Sequence, residues 1–226
     1  MDWFDPIGAY CERGNVAFWA EPVNALSNAA FLVAAVAAHR RACAADDRAG
    51  VALALLTAVV GIGSFLFHTL AVRWAMLADV VPIAVFIHAY FYLAMVRFLR
   101  FGPFAAWAAT LAFAGFGFGL VPALDAVAGR SVEALTNGSI DYLPAVLALV
   151  GVALGLRGVG DPAATGRRHV ALAALFSGSL ALRTADRGVC ALVPVGTHFL
   201  WHVLNAAVLY GLVVAAVRHR EAVSRR

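Results

Sequence analysis

Three of the seven histidines are spaced for metal chemistry. His198 and His202, in GTHFLWHVLN, are four residues apart, so in a helix both imidazoles share one face and reach a common ion. His68, in GSFLFHTL, supplies a third nitrogen. Three imidazoles with a fourth position kept for water form the donor set of a catalytic zinc site. Nitrogen donors favour zinc over magnesium or calcium, and a site with no redox work to do favours it over iron. Zinc lowers the pKa of its water to about 7 and so creates hydroxide at neutral pH. Ser64 precedes His68 by four residues and lies on the same helix face, one turn deeper. Asp79, in MLADVVP, is an ionisable residue inside an apolar run, where a charge is costly and therefore a functional candidate. It suits the role of proton acceptor, and Ser64 that of donor to the oxyanion of an attacked carbonyl.

Each of these residues has a plainer explanation when taken alone. Two histidines at helical spacing also occur as structural groups, a serine in a span usually bonds its own backbone or a neighbouring helix, and an aspartate suits a helix N-terminus. Their convergence at one depth has no equally simple structural account. The other four histidines do not converge. His39, His169 and His219 adjoin arginines at helix ends, and His88, within PIAVFIHAYFYLA, reads as a hydrogen-bonded structural histidine as readily as a functional one.

The elements that position these residues must be membrane helices. The chain is 63% hydrophobic and 13% charged, with a mean hydropathy of +0.84, outside the range of water-soluble domains. Apolar runs fill it almost throughout, leaving one domain over residues 1–226 and no basic tract that would make nucleic acid a partner. Cut into lengths of about 20 residues, the sequence predicts an all-α bundle of seven transmembrane helices at 22–42, 51–72, 75–97, 103–127, 139–157, 168–185 and 195–217. The fourth is rich in glycine and the sixth is short, so six helices is the alternative.

Seven spans sort the arginines into two groups. Arg40, Arg41, Arg48, Arg97, Arg100, Arg157, Arg167, Arg168, Arg218, Arg220, Arg225 and Arg226 fall on one side, and Arg13, Arg73, Arg130, Arg183 and Arg187 on the other. The positive-inside rule then places the N-terminus outside and the tail at 218–226 in the cytoplasm. Met1 to Glu21 lacks a basic n-region and an apolar h-region, so no cleavable signal peptide is expected and the first span directs insertion. In this topology His68, His198, His202, Ser64 and Asp79 all fall in the outer leaflet, with Asp79 about as deep on the third span as His68 is on the second. Cys11 and Cys190 both lie on the outer, oxidising side, where a disulfide can persist; the alternative is that they are small buried apolar residues. Cys43, at the inner end of the first span, is expected to remain a free thiol.

Ser64, His68 and Asp79 followed by the pair His198 and His202 resemble the pattern of the alkaline ceramidase family, within the seven-span metal hydrolases that include the adiponectin-type receptors. The segment YCERGNVAFWAEPVNALSN is similar to the family's acidic N-terminal stretch, and DRGVC precedes the last span as in the family. Spans four to six resemble it only in hydropathy. The resemblance implies hydrolysis of the amide of ceramide to a sphingoid base and a fatty acid by zinc-activated water, and a disulfide matching Cys11 and Cys190. It also implies a calcium ion beside the N-terminal segment, with Glu12, Asn15 and Glu21 as the best matching ligands. Here the sequence departs from the family: the interval between the glutamates is shorter, and Ala9 and Tyr10 replace an Asp-Trp pair. The alternative for the two glutamates is a solvated acidic loop.

Two classes of function compete. The first is a zinc-dependent amidase drawing ceramide or a related N-acyl lipid from the bilayer; an ester or other acyl lipid is a close variant, because the same hydroxide attacks any suitably placed carbonyl. The second is a seven-helix receptor or structural membrane protein with a non-catalytic zinc, against which the short inner loops argue, since they offer little surface for a signalling partner. No obligate protein partner is evident. An arginine-rich, lysine-free composition fits a GC-rich bacterial genome, hence an inner-membrane protein with its site toward the extracytoplasmic side.

Overall fold

In a computed structural model, residues 2–159 and 164–225 are described; Arg226, counted above among the inner arginines, and Met1 lie outside them. Helices dominate: α1 (Pro22–Ser27), α2 (Ala29–Ala44), α3 (Arg48–Leu70), α4 (Arg73–Arg97), α5 (Pro103–Ala128), α6 (Val132–Leu135), α7 (Leu143–Val159), α8 (Thr165–Val189) and α9 (His198–Ser224), with a 3₁₀ turn at Ser139–Tyr142 before α7. Among the described residues there is no strand, only an isolated bridge between Pro6 and Val72.

Local chemistry sets the helix ends. Asp47 caps α3 by accepting from the Gly50 amide at 3.2 Å, and Pro103 opens α5 at a position where its missing N–H is not needed. The predicted span 22–42 is two helices that meet at Asn28. The predicted start of the last span at 195 moves to His198, because Gly196 takes a positive φ of 67° that ends regular structure there. Any side chain at that glycine would collide with the Asp186 carboxylate, 2.0 Å from where its Cβ would sit.

Among the described residues, six helical stretches are long and apolar enough to cross a membrane: Pro22–Ala44, Arg48–Leu70, Arg73–Arg97, Pro103–Ala128, Ser139–Val159 and His198–Ser224. They carry lipid-type surfaces, with Leu55, Val59 and Ile62 of α3 and Phe104, Leu111 and Phe118 of α5 exposed. The region expected as a sixth span, 168–185, lies within α8. That helix is 25 residues long, roughly 37 Å at 1.5 Å per residue, but it is too polar to join the other six. Its polar residues His169, Ser179 and Asp186 are buried against the bundle.

Helices α3 and α9 run through the middle of the bundle, and α2, α4 and α8 pack around them. Helices α3 and α4 approach closely: a Cβ at Gly63 would lie 1.9 Å from the Ala78 carbonyl oxygen. Glycine at 63 thus lets two helices meet where each next residue, Ser64 and Asp79, has a polar side chain. Residues 2–21 fold across this end of the bundle. Ile7 donates to the Ala71 carbonyl at 2.7 Å, Arg187 of α8 donates to the carbonyls of Gly8 and Ala9 at 2.9 and 3.1 Å, and Cys11 is disulfide-bonded to Cys190. The expected pairing is therefore present, and Cys43 is free. Trp3, Phe4, Phe18 and Trp19 are exposed on this segment, as suits aromatic rings at a membrane–water interface.

Candidate metal centre

His68, in the last turn of α3, and His198 and His202, in the first two turns of α9, meet beneath the N-terminal segment. All three are buried, at 0%, 2% and 1% exposure. Their ring centroids stand 4.6 to 5.1 Å apart, and one potential ligand atom from each lies within 4.8 Å of the others. Two nitrogens bound to one zinc at about 2.1 Å each are at most about 4.2 Å apart, so small side-chain rotations close these rings on one ion.

The partners of the rings support that fit. His68 Nδ1 is 2.6 Å from Glu21 Oε2, and His202 Nδ1 is 2.7 Å from Ser27 Oγ. A ring that donates from Nδ1 has its Nε2 lone pair free for a metal, and such outer contacts fix the tautomer of metal-ligating histidines. His68 Nε2 and His198 Nδ1 are buried with no hydrogen-bond partner. Unpaired polar atoms in a dry interior are costly, and a bound cation would remove that cost. The group of three is the cluster of potential ligands found among the described residues.

The other predicted residues also meet here. Ser64 Oγ is 3.5 Å from His202 Nε2, and Asp79 is within side-chain reach of Ser64. Asp79 lies six residues into α4 and Ser64 six residues before the end of α3, so Asp79 is level with Ser64, one turn deeper than His68. The depth expected for it from sequence was that of His68; the Gly63 contact sets the actual register. Ser64, Asp79 and His202 line one end of a cavity. From there it runs between α4, α7 and α9 past Ile83, Ile87, Phe91, Val152, Val208 and Leu212, an almost wholly apolar channel.

Several supporting residues carried no sequence signal of their own. Asp186 is fully buried in α8 and accepts from the backbone N–H groups of Cys11, Thr197 and His198 at 3.0, 2.7 and 2.9 Å. It caps α9 at the turn that carries His198 and ties that turn to the N-terminal segment. The sequence held it only as the first residue of DRGVC. Tyr10 stacks on His198 with centroids 3.5 Å apart. Burial pushes its hydroxyl pKa up, against the nearby Arg183 charge. Arg183 itself lies over the rings of Tyr142 and Trp201, 5.5 Å from each centroid.

The three positions matched to calcium have other partners. The Glu12 carboxylate accepts from the Val23 and Asn24 amides at 2.7 and 2.8 Å and caps α1. Asn15 Oδ1 accepts from the Ala17 amide at 2.8 Å. Glu21 is 2% exposed, bonded to Arg13, to Asn24 Nδ2 at 3.1 Å and to His68; it is no part of a solvated loop. Burial pushes its carboxyl up, but His68 and Arg13 outweigh burial and hold it below the ordinary carboxylate value.

The histidines set aside earlier are indeed elsewhere. His88 Nδ1 bonds the Ala84 carbonyl of its own helix at 2.7 Å. His169 and His219 lie near the ends of α8 and α9, as their arginine neighbours suggest; they are buried and bonded to Tyr90 and Thr165.

Fold and site together define a helical membrane protein with a buried three-imidazole centre that could hold a metal ion, open to an apolar cavity. The sequence model of the ceramidase family matches residues 9–124, just over half of the chain, and the protein belongs to that family. Membership supports a ceramide-hydrolysing enzyme in the membrane. A search of curated proteins gave no match.

Proposed function

We propose that the protein is a zinc-dependent intramembrane hydrolase that cleaves the amide of ceramide or a related N-acyl lipid to a free fatty acid and a sphingoid base. The observation that carries this reading is the cavity: its polar end holds His202, Ser64 and Asp79, and beyond them it is lined by apolar side chains. An acyl chain fits such walls, and its carbonyl then stands beside the imidazoles.

His68, His198 and His202 would hold the zinc ion, which would supply Lewis acidity to activate water near neutral pH. Asp79 takes the proton from the attacking water and returns it to the leaving amine. Ser64 donates its hydroxyl hydrogen to the developing oxyanion. Glu21 and Ser27 hold the His68 and His202 rings in their tautomers, and the apolar walls exclude bulk water.

Topology follows from the same reading. Helix α8 is the seventh crossing, its polar face turned to the bundle, in one domain spanning the chain. The N-terminus lies outside, the C-terminal tail is cytoplasmic, and the centre is in the outer leaflet of a bacterial inner membrane. The free Cys43 and the Cys11–Cys190 bridge sit at opposite ends of the bundle, as this orientation requires.

The test is release of fatty acid and sphingoid base from fluorescent ceramides and other N-acyl lipids by the purified protein, its His198→Ala variant and a metal-stripped sample. Release by the wild type that disappears in the other two, and returns to the stripped sample with zinc, is the expected result. A wild type that holds zinc stoichiometrically and cleaves none of the lipids would sink the proposal.

A further inference from the structure

The N-terminal segment is organised around one buried cation, and that cation is a side chain. Arg13 is 6% exposed at its side chain, and all three guanidinium nitrogens are engaged. Nε donates to Glu21 Oε1, Nη1 to the carbonyls of Asn15 and Ala17 at 3.1 and 3.5 Å, and Nη2 to the His68 carbonyl at 2.8 Å. One carboxylate and three carbonyl oxygens are ligands that a hard cation such as calcium would take. Here a guanidinium holds them, and the positive charge already in place repels a second cation. Glu12 and the Asn15 side chain, the other oxygens matched to calcium, are turned to backbone amides instead.

The contacts of Arg13 converge on one metal ligand. It holds the last turn of α3 by the carbonyl of His68, and it holds Glu21, whose other oxygen is 2.6 Å from His68 Nδ1. The backbone and ring of His68 are thus fixed from the same guanidinium.

We infer that Arg13 takes the place of a calcium ion in this protein and acts as a positioning residue for His68 through Glu21, so that the centre assembles without calcium. This rests on the reading of the three imidazoles as a zinc site. It does not depend on which lipid is cleaved.

The test uses the full-length protein in detergent, with two readouts besides activity: calcium binding by titration calorimetry and thermal unfolding, and zinc content after equilibration at graded free zinc. Wild type is expected to take up no calcium at millimolar CaCl₂ and to keep its unfolding temperature. Arg13→Ala is expected to lose zinc affinity by about 10- to 100-fold, the usual cost of removing an outer partner of a metal ligand, with partial recovery in millimolar guanidinium. Arg13→Lys, which keeps the charge but lacks the fork to span four oxygens, is expected to fall between. Stoichiometric calcium uptake by the wild type, or an Arg13→Ala protein with unchanged zinc affinity, overturns the inference. Should Arg13→Ala not fold, the wild-type calcium titration and Arg13→Lys still decide. Loss of all lipid hydrolysis with zinc intact would count against the proposed function alone.

Discussion

The two ends of the bundle each bury a cluster of histidines and charged groups, and they differ in what is left over. At the far end Asp47 receives two hydrogen bonds from Arg97, at 2.5 and 2.9 Å, and Arg97 also reaches the Ala216 carbonyl. His169 is bonded to Tyr90 at 3.0 Å, and His219 to Thr165 at 2.9 Å. At the end beneath the N-terminal segment, His68 and His198 each keep a buried nitrogen without a partner. A closed network rigidifies a structure, whereas orphaned nitrogens aimed at a common point leave room for a ligand. Burial of histidine does not by itself distinguish a site from a strut; the unspent hydrogen-bonding capacity does.

Substitutions at the two ends should therefore fail in different ways. The largest effect is expected from Asp79→Asn, which keeps the shape and removes the base: turnover should fall by about 10²- to 10⁴-fold with zinc content unchanged. Ser64→Ala should cost about 10²- to 10³-fold in kcat, the range for an oxyanion donor. Equal loss of zinc in either variant would mean that the residue holds the metal instead.

Arg97→Ala should do the reverse, leaving zinc bound but lowering stability by about 3 kcal/mol, the cost of stranding a buried carboxylate. The Asp47 and Arg97 side chains are 2% and 14% exposed, so solvent screens little of this. Thermal or denaturant unfolding in detergent would read it. The same pair has a pH signature. Burial pushes the Asp47 carboxyl up, but Arg97 and the Gly50 amide outweigh it and set the group below its ordinary value of 3.8. A depressed folded pKa stabilises the protein above the unfolded pKa, and that stability is lost as pH falls through the folded value. The difference between wild type and Asp47→Asn should accordingly be constant from pH 7 to 5 and vanish in stronger acid. A difference that shrank already at pH 6 would point to another group.

The smallest effect is expected at His88, whose nitrogen bonds its own helix. His88→Gln should change stability by about 1 kcal/mol or less, with hydrolysis and zinc content as in the wild type. A large loss of activity would erase the distinction drawn between this histidine and the three of the centre.

Periodicity made the central residues legible. Four-residue spacings place Ser64 over His68 and His198 over His202 on any helix, and apolar runs located the long helices, α8 among them. What periodicity does not encode is how residues 2–21 fold over the helix ends. The parts of Arg13, Tyr10 and Glu21 depend on contacts across 47 to 188 positions of chain, and sequence suggested the last of these only as a calcium ligand. Helix α8, expected as a span at 168–185, is present but more polar than the other long helices for a related reason. Its Ser179 and Asp186 are polar because they serve the neighbouring helix, and an average over the helix treats them as exposed. The level of Asp79 is not legible in spacing, because a close helix contact at Gly63 sets the register of α4 on α3.

The placement of the imidazoles on α3 and α9 also has a bearing on biosynthesis. A nascent chain that has been made as far as α8 holds one of the three rings, and the capped turn that bears the other two is formed only with the arrival of the last helix. A partly made protein, sitting in the same lipid that it would later degrade, has no assembled centre with which to attack it.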